Sequence, residues 1–555
     1  MDSALRQPLT PAPRAGLALV GLAWLGLVGG ALLGVWALWS VLLSATPWQH
    51  LWAHPQWPRA VQHTLVSASL GTCGGAALGV WVLRMAWGGP HWRLWTWGLP
   101  AWLALPHVAF AAAGVWLLAP SGWLARLGAG WLWPAQQPPD WWWPQDPYGL
   151  SLGLGLALKE AVFFIWMGHA HLSQARLQTP WLAAQALGLH GAMAWRWVLA
   201  PPLWRAMRGP LLAMWAYSLS VVDMATVLGP TTPPTLAVLA HQWLLDPQTQ
   251  AHALGAAATW VISLMMVLGA GVGGYWTHRL TRPKGWPAGV TWPAKPAPVW
   301  VRWAQGVCAP SALGLWWGSA LAGWGVLGMA AGARGWLFPD LWHTKWQGPD
   351  FGGALAWAAW NSIHLSLASA SLGTALAMLS LACVRGPWLA WGQAALVLPA
   401  LPLAAGQHWA WVQLGWDGTW WAVVLSHTLW VWPYALLVLS GPYQQLPRGL
   451  ALSAQAMGLG PWRTHLQVVW PLLARHVATA WAVGVSVSVA QYLPTLYSGA
   501  GRWPTLTTEA VTAAAGGQPQ AMAAYALLQS AWPGTVFAAL ALVWLWARRR
   551  RQGWM

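Results

Sequence analysis

Ionisable residues inside apolar segments are the first candidates for chemistry in this sequence. Lys159 and Glu160 lie near the middle of the apolar stretch 148–172, and Asp223 lies in the stretch 209–230. If these stretches cross a bilayer, a charge at that depth costs about 3 kcal/mol or more unless it is paired or hydrated. Adjacent helical residues point about 100° apart, so each charge needs a partner on another helix, and we expect Asp223 to pair with Lys159.

Two interpretations of these charges remain open. They either line a translocation pathway or form a buried polar clamp between helices. Gln491 stands at the place that we expect to correspond to Asp223 in the second half of the chain. The two halves then differ chemically, as suits a pathway built from one fused chain.

A second set of polar residues lies toward the end of the chain. Arg502 and Glu509 flank one end of the apolar stretch 478–498, in a segment rich in Gly, Pro and Thr. They are candidates for an outer gate, with a solvated loop pair as the alternative. Six histidines lie in or near apolar stretches: His63, His107, His169, His171, His364 and His427. Their spacing predicts no metal site, and we expect helix–helix hydrogen bonds instead.

Nucleotide hydrolysis is excluded by the positions of the lysines. The chain has four, and none follows a glycine: Lys159, Lys284, Lys295 and Lys345. A phosphate-binding loop needs the sequence Gly-Lys-Ser/Thr, so this chain carries none. No hydrolytic triad or paired-carboxylate site is visible either. We therefore expect a chain that is not an enzyme by itself and holds no cofactor.

The composition identifies the class of protein. Of 555 residues, 57% are hydrophobic and 7% are charged, against about 25% charged in an average soluble protein. Apolar stretches of about 20 residues, long enough to cross a bilayer as helices, recur along the chain. The net charge of +17 does not indicate nucleic-acid binding, because the basic residues fall at the ends of these stretches. The sequence predicts an all-α polytopic membrane protein embedded in a lipid bilayer.

The apolar pattern predicts twelve transmembrane helices. We place them at 16–45, 60–83, 94–119, 148–172, 209–230, 253–277, 308–332, 354–383, 388–411, 420–440, 478–498 and 521–546. With twelve spans, most arginines and lysines of the loops fall on one side, which the positive-inside rule assigns to the cytoplasm. Both termini are then cytoplasmic.

A repeated phrase divides the chain into two halves. Ala184, Gln185 and Gly188, followed by Pro201, recur 270 residues later as Ala454, Gln455 and Gly458, followed by Pro471. The segment 65–72 is likewise echoed at 367–374. We therefore predict two parallel six-helix repeats, 1–279 and 303–555, joined by a cytoplasmic linker at 280–302.

Each repeated phrase, at 180–205 and 450–475, predicts a helix, a break and a second helix. Ala-Gln-Ala favours helix, and the following glycine can adopt the left-handed conformation that ends one. Pro461 suits the first turn of a new short helix, and Pro201 or Pro471 suits the start of the next span.

These loops resemble the cytoplasmic coupling loop of ABC-importer permeases. In that family Glu-Ala-Ala, a glycine three residues on and a later proline dock on the ATPase subunit. The segment 458–464, which includes Trp462 and Arg463, is similar to that loop. The sequence departs from the family where Leu182 and Leu452 replace the glutamate, and we expect Gln185 and Gln455 to supply polar contacts instead.

The resemblance spans nearly the whole chain and is greatest for fused permeases related to thiamine, iron(III) and polyamine importers. Five phrases resemble a thiamine-type subgroup: 119–123, 158–161, 228–230, 491–495 and 499–510. The resemblance implies a bacterial inner-membrane permease, two copies of a separate ABC ATPase subunit that hydrolyse ATP, and a periplasmic substrate-binding protein. The cargo stays open between thiamine-like compounds, iron and polyamines.

Two other functions compete with this one. An ion-gradient-driven secondary transporter of 6+6 topology explains the spans and the buried charges but not the paired phrases. A membrane scaffold explains neither the phrases nor the charges.

Overall fold

The computed structural model describes residues 14–87, 92, 99, 102–103, 105–128, 131–133, 137–173, 175–187, 189, 192–281, 351–384, 389 and 392–552. The elements within these ranges are all helices. Before the gap at 282–350 they are α1 (Arg14–Trp24), α2 (Gly30–Ser40), α3 (Thr46–Ala53), α4 (Trp57–Ser69), α5 (Gly75–Ala86), α6 (His107–Leu118), α7 (Trp123–Gly128), α8 (Leu150–Leu172), α9 (Ala175–Ala186), α10 (Ala192–Ala194), α11 (Ala200–Ala206), α12 (Arg208–Ser220), α13 (Asp223–Leu228), α14 (Leu236–Leu245) and α15 (Thr249–Thr281).

After the gap they are α16 (Phe351–Cys383), α17 (Ala400–Leu414), α18 (Trp420–Gln445), α19 (Arg448–Ala456), α20 (Pro461–Thr464), α21 (Trp470–Val489), α22 (Leu493–Gly499), α23 (Leu506–Ala515) and α24 (Pro519–Gln552). Four five-residue π-helical turns interrupt or join them, at Leu25–Gly29, Leu70–Gly74, Trp195–Leu199 and His465–Val469.

Within the described ranges, nine helical segments are long and apolar enough to cross a membrane. They are Ala15–Leu43, Trp57–Ala86, His107–Gly128, Leu150–Leu172, Thr249–Thr281, Gly352–Cys383, Trp420–Gln445, Pro461–Val489 and Pro519–Ala547. Each overlaps a predicted span. The predicted span 308–332 lies outside the described residues, as does all but the start of the linker 280–302. The total of twelve and the six-plus-six division therefore stay predictions.

Three predicted spans differ from the helices observed. The span 209–230 is broken, because Val221 is extended and separates α12 from α13. The span 478–498 is wrong at both ends: the long helix starts at Pro461 and stops at Val489, and α22 follows separately. The span 388–411 is a 3-10 turn followed by the 15-residue α17. Apolar composition predicts burial in the membrane, but it does not reveal where a helix breaks within an apolar run.

The element order recurs at a constant distance of 270 residues. α8 and α18 start at residues 150 and 420, α14 and α23 at 236 and 506, and α15 and α24 at 249 and 519. Two π-helical turns, Trp195–Leu199 and His465–Val469, obey the same spacing. The 270-residue spacing of the repeated phrase therefore recurs in the starts of these three helix pairs and in two π-helical turns.

The echo between 65–72 and 367–374 does not mark equivalent positions. The hydroxyl of Thr64 accepts a hydrogen bond from the N–H of Leu236 at 2.8 Å, and Ser362 does the same for Leu506 at 2.9 Å. Thr64 and Ser362 therefore occupy equivalent positions, 298 residues apart. The phrase recurs after 302 residues, and the difference of four residues is about one helical turn. Small residues allow close helix packing at any turn, so a Ser/Ala/Gly phrase does not set the register.

Backbone contact joins the start of the chain to its second half. α2 crosses α17 so closely that neither Gly34 nor Gly406 has room for a Cβ atom beside the other's backbone. Beside this crossing, the Ser220 hydroxyl at the end of α12 accepts a hydrogen bond from the N–H of Ala400 at 2.8 Å. The two halves thus share one packed core rather than meeting only through side chains.

Candidate functional site: a central cavity and two matching hairpins

The two repeated phrases form hairpins that end their first helix in the same way. The N–H of Leu189 donates to the carbonyl oxygen of Ala184 at 2.9 Å, and Leu459 donates to Ala454 at 3.1 Å. This six-residue closure is the hydrogen bond of a Schellman cap, which needs a left-handed residue just before its donor. Gly458 provides it with φ of +89°, as predicted. Gly188 lies outside the described residues.

Three prolines of the hairpins lie near the start of α-helical segments. Pro461 opens α20, and Pro201 and Pro471 lie in the first turns of α11 and α21. Each of the last two follows a π-helical turn. Proline donates no hydrogen bond and its ring crowds the preceding turn, so a locally wider turn accommodates it within a continuing helix. The predicted helix start is confirmed for Pro461. Pro201 and Pro471 instead lie inside helices that begin at Ala192 and Pro461 and continue through the π-helical turns.

The hairpins also share their pattern of exposure. Ala184 and Ala454 are buried, whereas Leu187 and Met457 are each 78% exposed. Leu182 and Leu452, at the position where related loops carry glutamate, are also exposed. Each hairpin therefore presents apolar side chains at equivalent points.

The polar and aromatic residues of the hairpins have different surroundings. Gln185 and Gln455 are half-buried, and Nε2 of Gln455 has no hydrogen-bond partner among the described residues. Trp462 packs beside Gly16 of α1, which ties the second hairpin to the start of the chain, while Arg463 is exposed.

A cavity of about 190 Å³ is lined by residues from both sides of the gap at 282–350. Lys159, Glu160, Asp223 and Gln491, which the sequence singled out, all line it. Three of them are buried in the protein: Lys159, Glu160 and Asp223. The structure therefore brings together four residues that are as far as 332 positions apart in the chain.

The predicted ion pair between Lys159 and Asp223 is absent. Nζ of Lys159 instead donates to the carbonyl oxygens of Trp102, at 3.0 Å, and Leu105. These carbonyls precede Pro106, which has no N–H, and α6 begins only at His107. Pro106 donates no hydrogen bond in this turn, and the ammonium of Lys159 supplies a donor there. The Trp102 oxygen also accepts from the N–H of Leu105 at 3.3 Å.

Two broken helices contribute to the cavity wall. The breaks fall at Val221–Val222 and at 490–492, and residues from both line the cavity. The short helices after the breaks start at Asp223 and Leu493, so Asp223 corresponds to Leu493 rather than to Gln491. The prediction that Asp223 and Gln491 are equivalent was therefore wrong by two residues. A carboxylate suits the first turn of α13, where backbone N–H groups are free.

Aromatic side chains form much of the remaining wall. Tyr434 of α18 meets Phe163 of α8 edge to face, with ring centroids 6.5 Å apart. Trp430 also lines the cavity and lies 270 residues after Glu160, at the equivalent position of the matching helix. Tyr217 and Tyr492 complete this aromatic surface. Nothing in the local sequence of these aromatic residues distinguishes them from the many other tryptophans and tyrosines of the chain.

The candidate outer-gate residues do not meet in an ion pair. The Arg502 side chain lies beside Gly418, and Glu509 lies in the first turn of α23, which Thr505 caps. In the part of the chain that the structure describes, the ion pair present joins His408 and Asp417 at 3.2 Å. Sequence reasoning missed it because both residues lie near the end of an apolar stretch with no distinctive spacing.

Buried histidines join helices. Nδ1 of His427 is 2.7 Å from the Ser488 hydroxyl, and Nε2 is 2.8 Å from that of Thr495. His241 meets the Tyr497 hydroxyl at 3.1 Å across the two halves. The expected helix–helix role is confirmed for His427, whereas His241 was not among the histidines that the sequence singled out. Within the described ranges, no group of three or more His, Cys, Asp or Glu side chains could hold a metal ion.

Comparison with known proteins identifies the family. No family model matches the chain, and no solved structure matches it. The inner membrane ABC transporter permease protein YnjC of Escherichia coli (strain K12) is 35% identical over 552 residues, covering 97% of each chain. The alignment spans the residues that form the cavity, the broken helices and both hairpins of this chain. The chain belongs to the ABC transporter permeases of the inner membrane.

Proposed function

We propose that this chain is the complete membrane-spanning part of an ABC importer and forms its substrate pathway in the central cavity. Two copies of an ABC ATPase subunit dock on the two hairpins and hydrolyse ATP, and a periplasmic binding protein delivers the substrate. Both termini lie in the cytoplasm, on the side of the hairpins. The paired hairpins carry this proposal, because two equivalent docking elements suit two identical subunits.

The exposed apolar side chains of the hairpins support this assignment. Leu187 and Met457 occupy equivalent positions beside a helix end, each exposed on a segment that leads into a long helix. Force applied at such a segment reaches the membrane helices directly. ATP binding that draws the ATPase subunits together then favours one arrangement of the two halves over the other, as a switching ligand must. A gradient-driven transporter would have no use for these elements.

The substrate class is a separate part of the proposal. The phrases at 119–123, 158–161, 228–230, 491–495 and 499–510 resemble those of thiamine-type permeases, and this resemblance supports a related substrate class. They do not choose between thiamine-like compounds, iron and polyamines.

The test of docking uses charge at the hairpin tips. The chain is co-expressed with its ABC ATPase, and Leu187→Glu and Met457→Glu are compared with Leu132→Glu, an equally exposed leucine away from the hairpins. Burying an unpaired carboxylate in an interface costs several kcal/mol. We expect each hairpin variant to lose at least tenfold in ATPase activity in proteoliposomes, with an unchanged melting temperature of the isolated chain.

Native mass spectrometry supplies the stoichiometry. Two ATPase subunits per wild-type chain are expected, and the control variant should retain both. Full retention of subunits and activity by both hairpin variants would show that docking takes place elsewhere.

A further inference from the structure

The central cavity has an unusual distribution of charge. Glu160 is only 6% exposed, lines the cavity, and has no hydrogen bond or ion pair with any residue that the structure describes. A carboxylate in that position is costly unless a partner arrives from outside the protein. Asp223, also buried, faces the same space.

The positive charge in the cavity balances at most one of these two carboxylates. Among the described residues, Lys159 is the one lysine that lines the cavity; it interacts electrostatically with Glu160 without an ion-pair contact, and its ammonium is bound to the carbonyl oxygens of Trp102 and Leu105. No arginine of the described part of the chain lines the cavity. An anionic ligand would therefore find no free cationic group and two carboxylates, and electrostatics disfavours it.

Aromatic side chains line the same cavity. Trp430, 9% exposed, occupies the position on α18 that matches Glu160 on α8, and Tyr434 lies one turn further along. Aromatic faces attract cations within about 6 Å, and tryptophan does so most strongly. Nε1 of Trp430 and the hydroxyl of Tyr217 have no hydrogen-bond partner among the described residues. Duplication thus placed a carboxylate and an aromatic ring at equivalent points of two matching helices.

We propose that the central cavity binds a compact organic cation between the carboxylates of Glu160 and Asp223 and the aromatic faces of Trp430 and Tyr434. The cavity of about 190 Å³ holds several water molecules or one small ligand. A hard metal ion would gain little from the aromatic wall, since it prefers oxygen ligands throughout. This inference specifies the class of substrate that the cavity binds. It rests on the proposed function in one respect, namely that the cavity is part of the transport pathway.

The experiment uses the full chain in lipid nanodiscs without an ATPase, so its outcome is independent of docking. Choline is the probe, 3,3-dimethylbutan-1-ol is its neutral isostere, and Mg²⁺ is the metal arm, each titrated by calorimetry. Choline should bind and the neutral isostere should bind at least tenfold more weakly. Equal binding of the two, no choline binding, or binding of Mg²⁺ alone would overturn the inference and leave the importer assignment intact.

Variants locate the binding. Glu160→Gln should weaken choline binding at least tenfold, whereas Glu160→Asp should retain part of it. Trp430→Leu should weaken binding about fivefold, and Trp430→Phe should restore most of it. Asp140→Asn and Trp421→Leu are matched controls on exposed residues outside the cavity. Wild-type affinity in both Glu160→Gln and Trp430→Leu, with all variants folded by their melting temperatures, would place the cation elsewhere.

Discussion

The crossing of α2 and α17 offers the sharpest test of how the two halves are held together. A Cβ atom at position 34 would lie 2.7 Å from Cα of Gly406, and closer still to its carbonyl oxygen. Ordinary contact begins at 3.4 Å, so Gly34→Ala must separate the helices by at least about 0.7 Å. The neighbouring atoms belong to the backbone of a helix and cannot rotate away. Overpacking of this kind costs about 1–3 kcal/mol and sometimes more.

A matched control lies one turn earlier on the same helix. A Cβ atom at Gly30 would meet Ala410 at 3.8 Å, which is normal packing. Replacing glycine by alanine within a helix gains roughly 0.5–1 kcal/mol when space allows. Gly30→Ala should therefore match or exceed the wild-type stability, and Gly34→Ala should fall about 2–4 kcal/mol below Gly30→Ala.

Thermal unfolding in detergent, followed by tryptophan fluorescence, measures the difference. We expect the melting temperature of Gly34→Ala to lie roughly 2–4 °C below that of Gly30→Ala, since the shift per kcal/mol falls as the chain grows longer. Equal melting temperatures would refute the close crossing of α2 and α17. A lower value for Gly30→Ala than for Gly34→Ala would mean that the register of this crossing is wrong.

Two further predictions concern polar contacts. Burial alone would raise the pKa of Asp146, but hydrogen bonds from Ser151, Leu150 and Tyr148 hold it below its ordinary value. Asp146→Asn should therefore cost about 1–2 kcal/mol at pH 7, and melting curves should show this difference shrinking as the pH falls below about 4, where the carboxylate becomes protonated. A pH-independent difference would contradict that assignment. His427→Leu should cost about 2 kcal/mol in melting experiments, since it leaves the buried Ser488 hydroxyl without a partner and removes the bond to Thr495, whose hydroxyl still donates to the carbonyl oxygen of Gln491. His476→Leu, at an exposed site, should be neutral. Equal stability of the two variants would show that the His427 bonds contribute nothing.

Much of the local structure could be predicted from the sequence. The left-handed glycine at 458 and the proline at 461 lie where the phrase predicts a helix end and a helix start, whereas Pro201 and Pro471 lie within helices that have already begun. These features depend on residues within one or two turns of each other. Backbone conformation at such short range follows from the residue types themselves.

The residues that line the cavity could be predicted in part. Ionisable residues in an apolar segment indicate a polar interior, and Lys159, Glu160 and Asp223 do line one cavity. Their partners could not be predicted, because Lys159 binds carbonyls 54 and 57 residues away in the sequence. The aromatic wall could not be predicted either, since the chain has 57 tryptophans and only packing selects Trp430.

The sequence by itself determined the membrane class and the helix cap of the second hairpin, since apolar length and helix caps are written in neighbouring residues. The tertiary structure alone decided where the apolar runs break, which glycines meet between α2 and α17, and that Glu160 lines the same cavity as Trp430 and Tyr434. These outcomes depend on contacts between residues hundreds of positions apart. Such contacts form only when the helices pack, and an apolar sequence is compatible with many packings.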